Sequence, residues 1–227
     1  MKNIKGIIFD FNGTLFNDTK LHEIAWIEYS AKLRGTPFND YELEHYMFGR
    51  SNNEIIEYAI GRKPTPEEVD KYAWEKEDCY RQLVLKNPDC IKLVKGAEEI
   101  LDYVKENNIP STIATGSEIN NVKFFIEIFK LDKWFDTSKI IYDDGKRLGK
   151  PHPDIYLEAL KVLGLKAEDT LVFEDSYSGI CAANEAKIGT IIALNENPET
   201  FKHKDKVSRV IKDFTEIDIK SLVKAWI

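Results

Sequence analysis

A chain of 227 residues, 43% hydrophobic and 31% charged, has the composition of a globular protein with one large domain or a core plus an inserted subdomain. No apolar run approaches the roughly 18 residues that a membrane span requires, so no membrane partner is expected. A formal net charge of -7 argues against a nucleic-acid-binding surface, although local cations and a metal can still make one pocket welcome an anion.

The first segment, Met1-Lys2-Asn3-Ile4-Lys5-Gly6, runs into a strand pattern with neither the apolar region nor the cleavage site of a signal peptide. Cys79, Cys90 and Cys181 lie far apart, without metal-ligand spacing or an even count. A cytoplasmic protein with buried or idle thiols is the expectation. The first strand, Ile4 to Phe9, ends in Asp10, followed by Phe11-Asn12-Gly13-Thr14-Leu15. Ligands of open α/β sheets bind outside the carboxyl ends of the strands. A carboxylate there, followed by a Gly that frees backbone N–H groups, suits nucleophilic attack on a phosphoryl group. The same residues also fit a capped β-turn.

From about Asp18 to Lys92 no convincing strand appears. The patterns at Leu21 to Trp26, Asn53 to Tyr58 and Glu67 to Leu85 are helical, with breaks at Gly35-Thr36-Pro37 and Gly61 to Pro66. Thr65 is a candidate N-cap, with Pro66-Glu67-Glu68 as a first helical turn. This stretch is expected to be a helical subdomain inserted after the first strand.

Helix and strand then alternate: Ala97 to Glu106, Ser111 to Ala114, Ile119 to Phe129, Lys139 to Tyr142, Pro153 to Leu163, Thr170 to Phe173, Ser178 to Lys187 and Thr190 to Ala193. Near-continuous apolar strands separated by helices predict a doubly wound parallel α/β sheet. Three strand ends carry polar groups. Thr115-Gly116-Ser117 offers hydroxyls before a helix, where Thr115 can donate to a phosphate oxygen and Ser117 is equally a candidate N-cap. Lys150 precedes Pro151 and Pro153, which forbid helix until Pro153 opens the first turn, so the lysine is held by a rigid turn and can neutralise a phosphoryl group. Glu174-Asp175 places two carboxylates together after a buried strand. They repel unless a cation lies near, and oxygen-only ligands suit Mg²⁺ better than zinc. A helix-capping carboxylate is the plainer alternative there.

These four pieces, in this order, resemble the haloacid dehalogenase (HAD) superfamily, and the likeness spans essentially the whole chain. Leu21-His22 and Trp26, Gly49-Arg50-Ser51, Lys76 with Tyr80, Gly149-Lys150-Pro151 and Phe173-Glu174-Asp175-Ser176 resemble its β-phosphoglucomutase-like and phosphoglycolate-phosphatase-like branch. The resemblance implies a Rossmann-like catalytic core at 1–16 and 93–227 and a helical cap at 17–92. It implies a phosphatase of small phosphorylated metabolites, or alternatively a β-phosphoglucomutase-like phosphotransferase, working through an aspartyl phosphate on Asp10; a monomer is expected rather than an obligate oligomer. Mg²⁺ would be held by Asp10, the main-chain carbonyl of Asn12 and Asp175, with Glu174 beside them. Thr115 and Lys150 would hold the phosphoryl oxygens, with Thr14, Gly116 and Ser117 lining the site. From the cap, His22, Arg50 and Lys76 would meet the substrate, short connections near Phe16-Asn17-Asp18 and Asn87-Pro88 acting as hinges.

Asn12 departs from the pattern, which carries Asp there as general acid and base. An amide cannot exchange that proton, and such assistance is typically worth about 10² to 10⁴ in rate. Three explanations follow: substrates with good leaving groups, an attenuated metal- and phosphate-binding protein, or an introduced trap. His22 can supply a proton in principle, although a packed or capping histidine is the simpler expectation. The mutases carry Arg at the position of Asn52, which leaves Arg50 as the main cation for an anionic handle.

Overall fold

The computed structural model describes residues 4–47 and 50–222; Gly49 lies outside them. The chain divides into two compact units, one running to Asn17 and resuming at Lys92, the other Asp18–Ile91. No helix among the described residues is long and apolar enough to cross a membrane.

The split unit is built on six parallel strands: β1 Gly6–Phe9, β2 Ser111–Glu118, β3 Ile141–Asp143, β4 Thr170–Glu174, β5 Thr190–Leu194 and β6 Arg209–Ile211. Their spatial order is β3-β2-β1-β4-β5-β6. The chain thus builds outward from β1 in one direction, then returns to lay β4 on β1's other side. In open sheets with such a reversal, ligands bind beyond the carboxyl ends of the strands that flank it, here β1 and β4. Every residue of β1 and β4 is buried, as their apolar runs require of strands covered on both faces.

Phenylalanines fix these strand ends. Phe9 stacks on Phe173 of the neighbouring strand at 5.3 Å, and Phe214 meets Phe173 edge-on at 5.0 Å. Phe11 stacks on Phe125 at 4.5 Å, and Phe16 packs on Phe129 at 4.8 Å.

Two strands depart from expectation. β2 continues four residues past Ala114, with an irregular register against β3 between Ala114 and Glu118. β6 has only three residues, begins on an exposed Arg209 and lies at the sheet edge. Its apolar pattern is too short to show in sequence.

In the helical unit, α1 spans Thr19–Arg34, α2 Asp40–Glu42, α3 Asn52–Ile60 and α4 Pro66–Lys86, with a π turn at Leu43–Met47. Three of these helices open with a reciprocal capping box, Asn39 with Glu42, Ser51 with Glu54 and Thr65 with Glu68. In each, the cap side chain accepts the third residue's N–H while the Glu reaches back to the cap's own N–H. The unit has its own core, including Trp26, Tyr29, Phe38, Leu43, Ile55 and Ile56. The other helices are α5 Ala97–Glu106, α6 Ile119–Phe129, α7 Asp154–Leu163, α8 Tyr177–Glu185 and α9 Ile219–Leu222. Pro153 stands one place before α7, its carbonyl accepting from Tyr156 and Leu157, instead of occupying the first turn.

Urea unfolding checks the two kinds of anchor. Phe173→Ala is expected to lose about 3–5 kcal/mol through the cavity it leaves. Thr65→Ala is expected to lose about 1 kcal/mol through the lost cap.

Candidate active site

Asp10 follows the last residue of β1. Its N–H donates to the Phe173 carbonyl at 3.0 Å, extending the β1–β4 ladder to the carboxylate itself. Phe9 and Phe11 on either side are fully buried, so the backbone there has no freedom to turn the side chain away. The chain then folds back sharply. The Phe11 carbonyl accepts from the N–H groups of Thr14, Leu15 and Phe16, and the Gly13 N–H donates to the Phe16 carbonyl at 2.6 Å. The amides expected to be free for a phosphate are therefore used within the turn. Gly13 is needed for two other reasons: its φ is +79°, and a Cβ there would lie 2.1 Å from Asp175 Oδ2.

The Lys150 ammonium donates to Asp10 Oδ1 at 2.7 Å and to Glu174 Oε1 at 2.5 Å. Glu174, the last residue of β4, is wholly buried. Its Oε1 also accepts from the Tyr156 hydroxyl at 3.1 Å, and its Oε2 from the N–H groups of Asp175 and Ser176 and from the Ser176 hydroxyl. Five donors thus fix one carboxylate, and Glu174 fixes the lysine. Asp175, one residue on, accepts from the Thr14 hydroxyl at 3.2 Å.

Across β1, the extended β2 carries Thr115 and Ser117 to Asn12. The Asn12 Oδ1 accepts from Ser117 Oγ at 2.7 Å and from Thr115 Oγ1 at 3.2 Å. Ser117 is therefore no helix cap. Glu118 caps α6, its carboxylate accepting from the N–H groups of Asn120 and Asn121. Gly116 is exposed, and a side chain there would meet nothing. Likewise α8 is capped by Ser176, not by Asp175.

Asp10, Glu174 and Asp175 each bring a carboxylate oxygen within 4.8 Å of the others. Three carboxylates against one ammonium leave an excess of negative charge in a buried place. Burial pushes Asp10 up to about 7 against the pull of Lys150, with Glu174 adding to the rise. Burial also carries Asp175 well above the usual carboxylate range, helped by Glu174 and Asp10. Burial works against the Lys150 charge, yet Asp10 and Glu174 hold it well above an ordinary lysine. A hard divalent cation fits this all-oxygen donor set and offsets both the burial and the repulsion that lift the carboxyls.

The other expected residues belong to the helical unit. His22 stacks on Tyr80 at 3.9 Å, its Nδ1 lies 2.8 Å from the Lys76 ammonium and its Nε2 3.3 Å from Asp18. An ammonium can only donate, so Nδ1 accepts and Nε2 carries the ring proton. Lys76 is buried and also pairs with Glu77 at 2.9 Å, while Glu77 accepts from the Asn52 amide at 3.1 Å. Arg50 is exposed and reaches Glu54 at 3.4 Å. His22 and Lys76 are thus brought together, while the partner of Arg50 is Glu54. The three cysteines are partly buried and unbridged.

Tyr156 was not legible as a site residue. It sits on the apolar face of α7, where an aromatic reads as core, and only the fold brings its hydroxyl to Glu174. Gly179 also escaped notice: a Cβ there would lie 1.5 Å from Glu174 Oε1, so the helix must be bare where the carboxylate passes.

The sequence profile of the haloacid dehalogenase-like hydrolases matches residues 7–193. A phosphorylated carbohydrates phosphatase from Thermotoga maritima is 30% identical over 201 residues, 85% of this chain and 88% of its own. A β-phosphoglucomutase from Bacillus subtilis is 28% identical over 189 residues, 81% of this chain and 80% of its own. The crystal structure of a HAD hydrolase, family IA, variant 3, from Entamoeba histolytica superposes with a TM-score of 0.89 at 39% identity, over 98% of this chain and 99% of that one.

The raised Asp10 makes a pH prediction for the chain in chelator. A folded-state pKa of about 7 against an ordinary 3.8 means that the folded protein holds the proton more tightly. The contribution is full below the lower value and lost as pH rises towards the upper one, so Tm should fall from about pH 4.5 to 7.5. Asp10→Asn should reduce that fall in calorimetric scans; an unchanged slope would assign it to other groups.

Proposed function

Because the chain belongs to the haloacid dehalogenase-like hydrolase family, we propose that it is a Mg²⁺-dependent phosphatase of a small phosphorylated metabolite, with Asp10 as nucleophile. One observation carries this reading: a buried carboxylate at the end of a central strand, 2.7 Å from a lysine and inside a cluster of carboxylate oxygens. The relative named for phosphorylated carbohydrates supports a small phosphorylated metabolite as the substrate.

Asp10 attacks phosphorus and displaces the leaving group, forming an aspartyl phosphate. Water then attacks the same phosphorus, restores the carboxylate and releases inorganic phosphate. The third N–H of Lys150 holds the phosphoryl oxygens, while Thr115, which the resemblance gave the same task, spends its one hydroxyl hydrogen on Asn12, and Gly116 and Ser117 line the same strand end. In such a reaction charge disperses over the phosphoryl oxygens, so positioning and cations supply most of the rate. Asp10, Asp175 and the main-chain carbonyl of Asn12 would hold Mg²⁺, with Glu174 beside them and Thr14 steering Asp175. When bound, the ion supplies positive charge to the crowded carboxylates and phosphoryl oxygens.

We assign substrate selection to the helical unit. Arg50 is its exposed cation for an anionic handle, and His22 and Lys76 form a second, mutually bonded pair. A sugar hydroxyl in place of water as acceptor would make the protein a mutase, a reading supported by the Bacillus subtilis relative.

Two variants test the assignment. Asp10→Asn should abolish Mg²⁺-dependent phosphate release from every phosphorylated metabolite that the unaltered chain hydrolyses, while the chain remains folded. Asp175→Ala should abolish Mg²⁺ binding in calorimetry; unchanged affinity would remove Asp175 from the metal site.

A further inference from the structure

Residue 12 stands two places beyond the nucleophile, and its hydrogen bonds determine what it can do. Thr115 Oγ1 accepts the Ser117 N–H at 3.1 Å, so its own hydrogen is available to donate. It donates to Asn12 Oδ1, as does the Ser117 hydroxyl. The carboxamide oxygen is thereby committed as a double acceptor, and its nitrogen acts only as a donor. Such a group orients a ligand but neither gives up nor takes a proton. The acids nearby have their own commitments. Glu174 serves five donors, and Asp175 takes the Thr14 hydroxyl and, on the reading above, the cation. Lys150 is tied between Asp10 and Glu174.

We propose that this site selects phosphoryl donors whose leaving group departs without a proton, namely acyl phosphates and phosphoanhydrides, and that its aspartyl phosphate discharges slowly. The inference rests on Asp10 being the nucleophile. In the first step the bond from Asp10 to phosphorus forms as the phosphorus–oxygen bond to the leaving group breaks, and the leaving group keeps the electron pair. A carboxylate or phosphate carries that charge unaided, whereas a sugar alkoxide needs a proton that this sheet unit does not supply. In the second step water oxygen bonds to phosphorus and the pair returns to Asp10. With no fixed base at residue 12, the water proton passes to solvent or to the departing phosphate, and the phosphoenzyme accumulates.

The test compares acetyl phosphate with glucose 6-phosphate on the full chain with Mg²⁺, unaltered and as Asn12→Asp. The ratio kcat/KM reports steps up to phosphoryl transfer, so it reads leaving-group dependence apart from discharge. The unaltered chain should favour acetyl phosphate. Asn12→Asp should raise kcat/KM for glucose 6-phosphate by roughly 10² to 10⁴ and for acetyl phosphate by far less. Mass spectrometry of acid-quenched samples should find one added phosphoryl group on the unaltered chain during acetyl phosphate turnover, and little on the variant. Should Asn12→Asp not fold, a series of aryl phosphates on the unaltered chain serves instead, with kcat/KM climbing steeply as the leaving group becomes more acidic. Equal gains on both donors, a flat aryl series or no phosphoenzyme would overturn this inference and leave the phosphatase reading standing. No turnover of any donor by either chain would overturn both.

Discussion

One ammonium between two carboxylates governs this molecule. Lys150 lies between Asp10 and Glu174, which project from the ends of adjacent central strands, and Asp175 crowds in beside them. Left to themselves, buried like charges would drive these strand ends apart or take up protons. The surrounding structure prevents the first outcome. The β1–β4 ladder reaches Asp10, phenylalanines clamp both strands, and five donors pin Glu174 so that the lysine has a fixed seat. Gly13 and Gly179 are bare where the carboxylates pass closest. The second outcome is only partly prevented, and the high Asp10 value is what remains for a dication to relieve.

Much of this was legible because it is local. Apolar runs gave the central strands, and α5 and α6 begin and end where their periodicity does. Thr65 followed by Pro66 and Glu68 is a cap signal whose cause lies within four residues. The polar residues at or beyond the carboxyl-terminal parts of β1 to β4 pointed to the candidate site because the parallel topology delivers those parts to one edge.

What was not legible depends on distance across the fold. Ser117 and Glu118 are both plausible caps in sequence. Only the bending of β2 towards Asn12 turns Ser117 inward and leaves Glu118 to cap α6. Gly13 reads as a supplier of amides, but a reversal at Phe11 consumes them, and its real constraint is a carboxylate 161 residues away from its neighbour Thr14. Tyr156 looks like core until Glu174 is placed against its hydroxyl. In the helical unit, Lys76 and Tyr80 share a helix face, but that spacing does not reveal that His22 joins both.

The division of the chain has a consequence for its synthesis. The helical unit is one contiguous stretch with its own core and local caps, so a ribosome that has delivered Ile91 has delivered all of it. At that moment the sheet consists of β1 alone, an apolar strand ending in a charged side chain. Its partner β2 is still to come, and β4 emerges only with Thr170 to Glu174. The early unit gains its contacts at short loop-closure cost, whereas the late one waits on distant pairings. During that interval β1 lacks both of its pairing partners, and Asp10 waits on Lys150 and Glu174 for its surroundings.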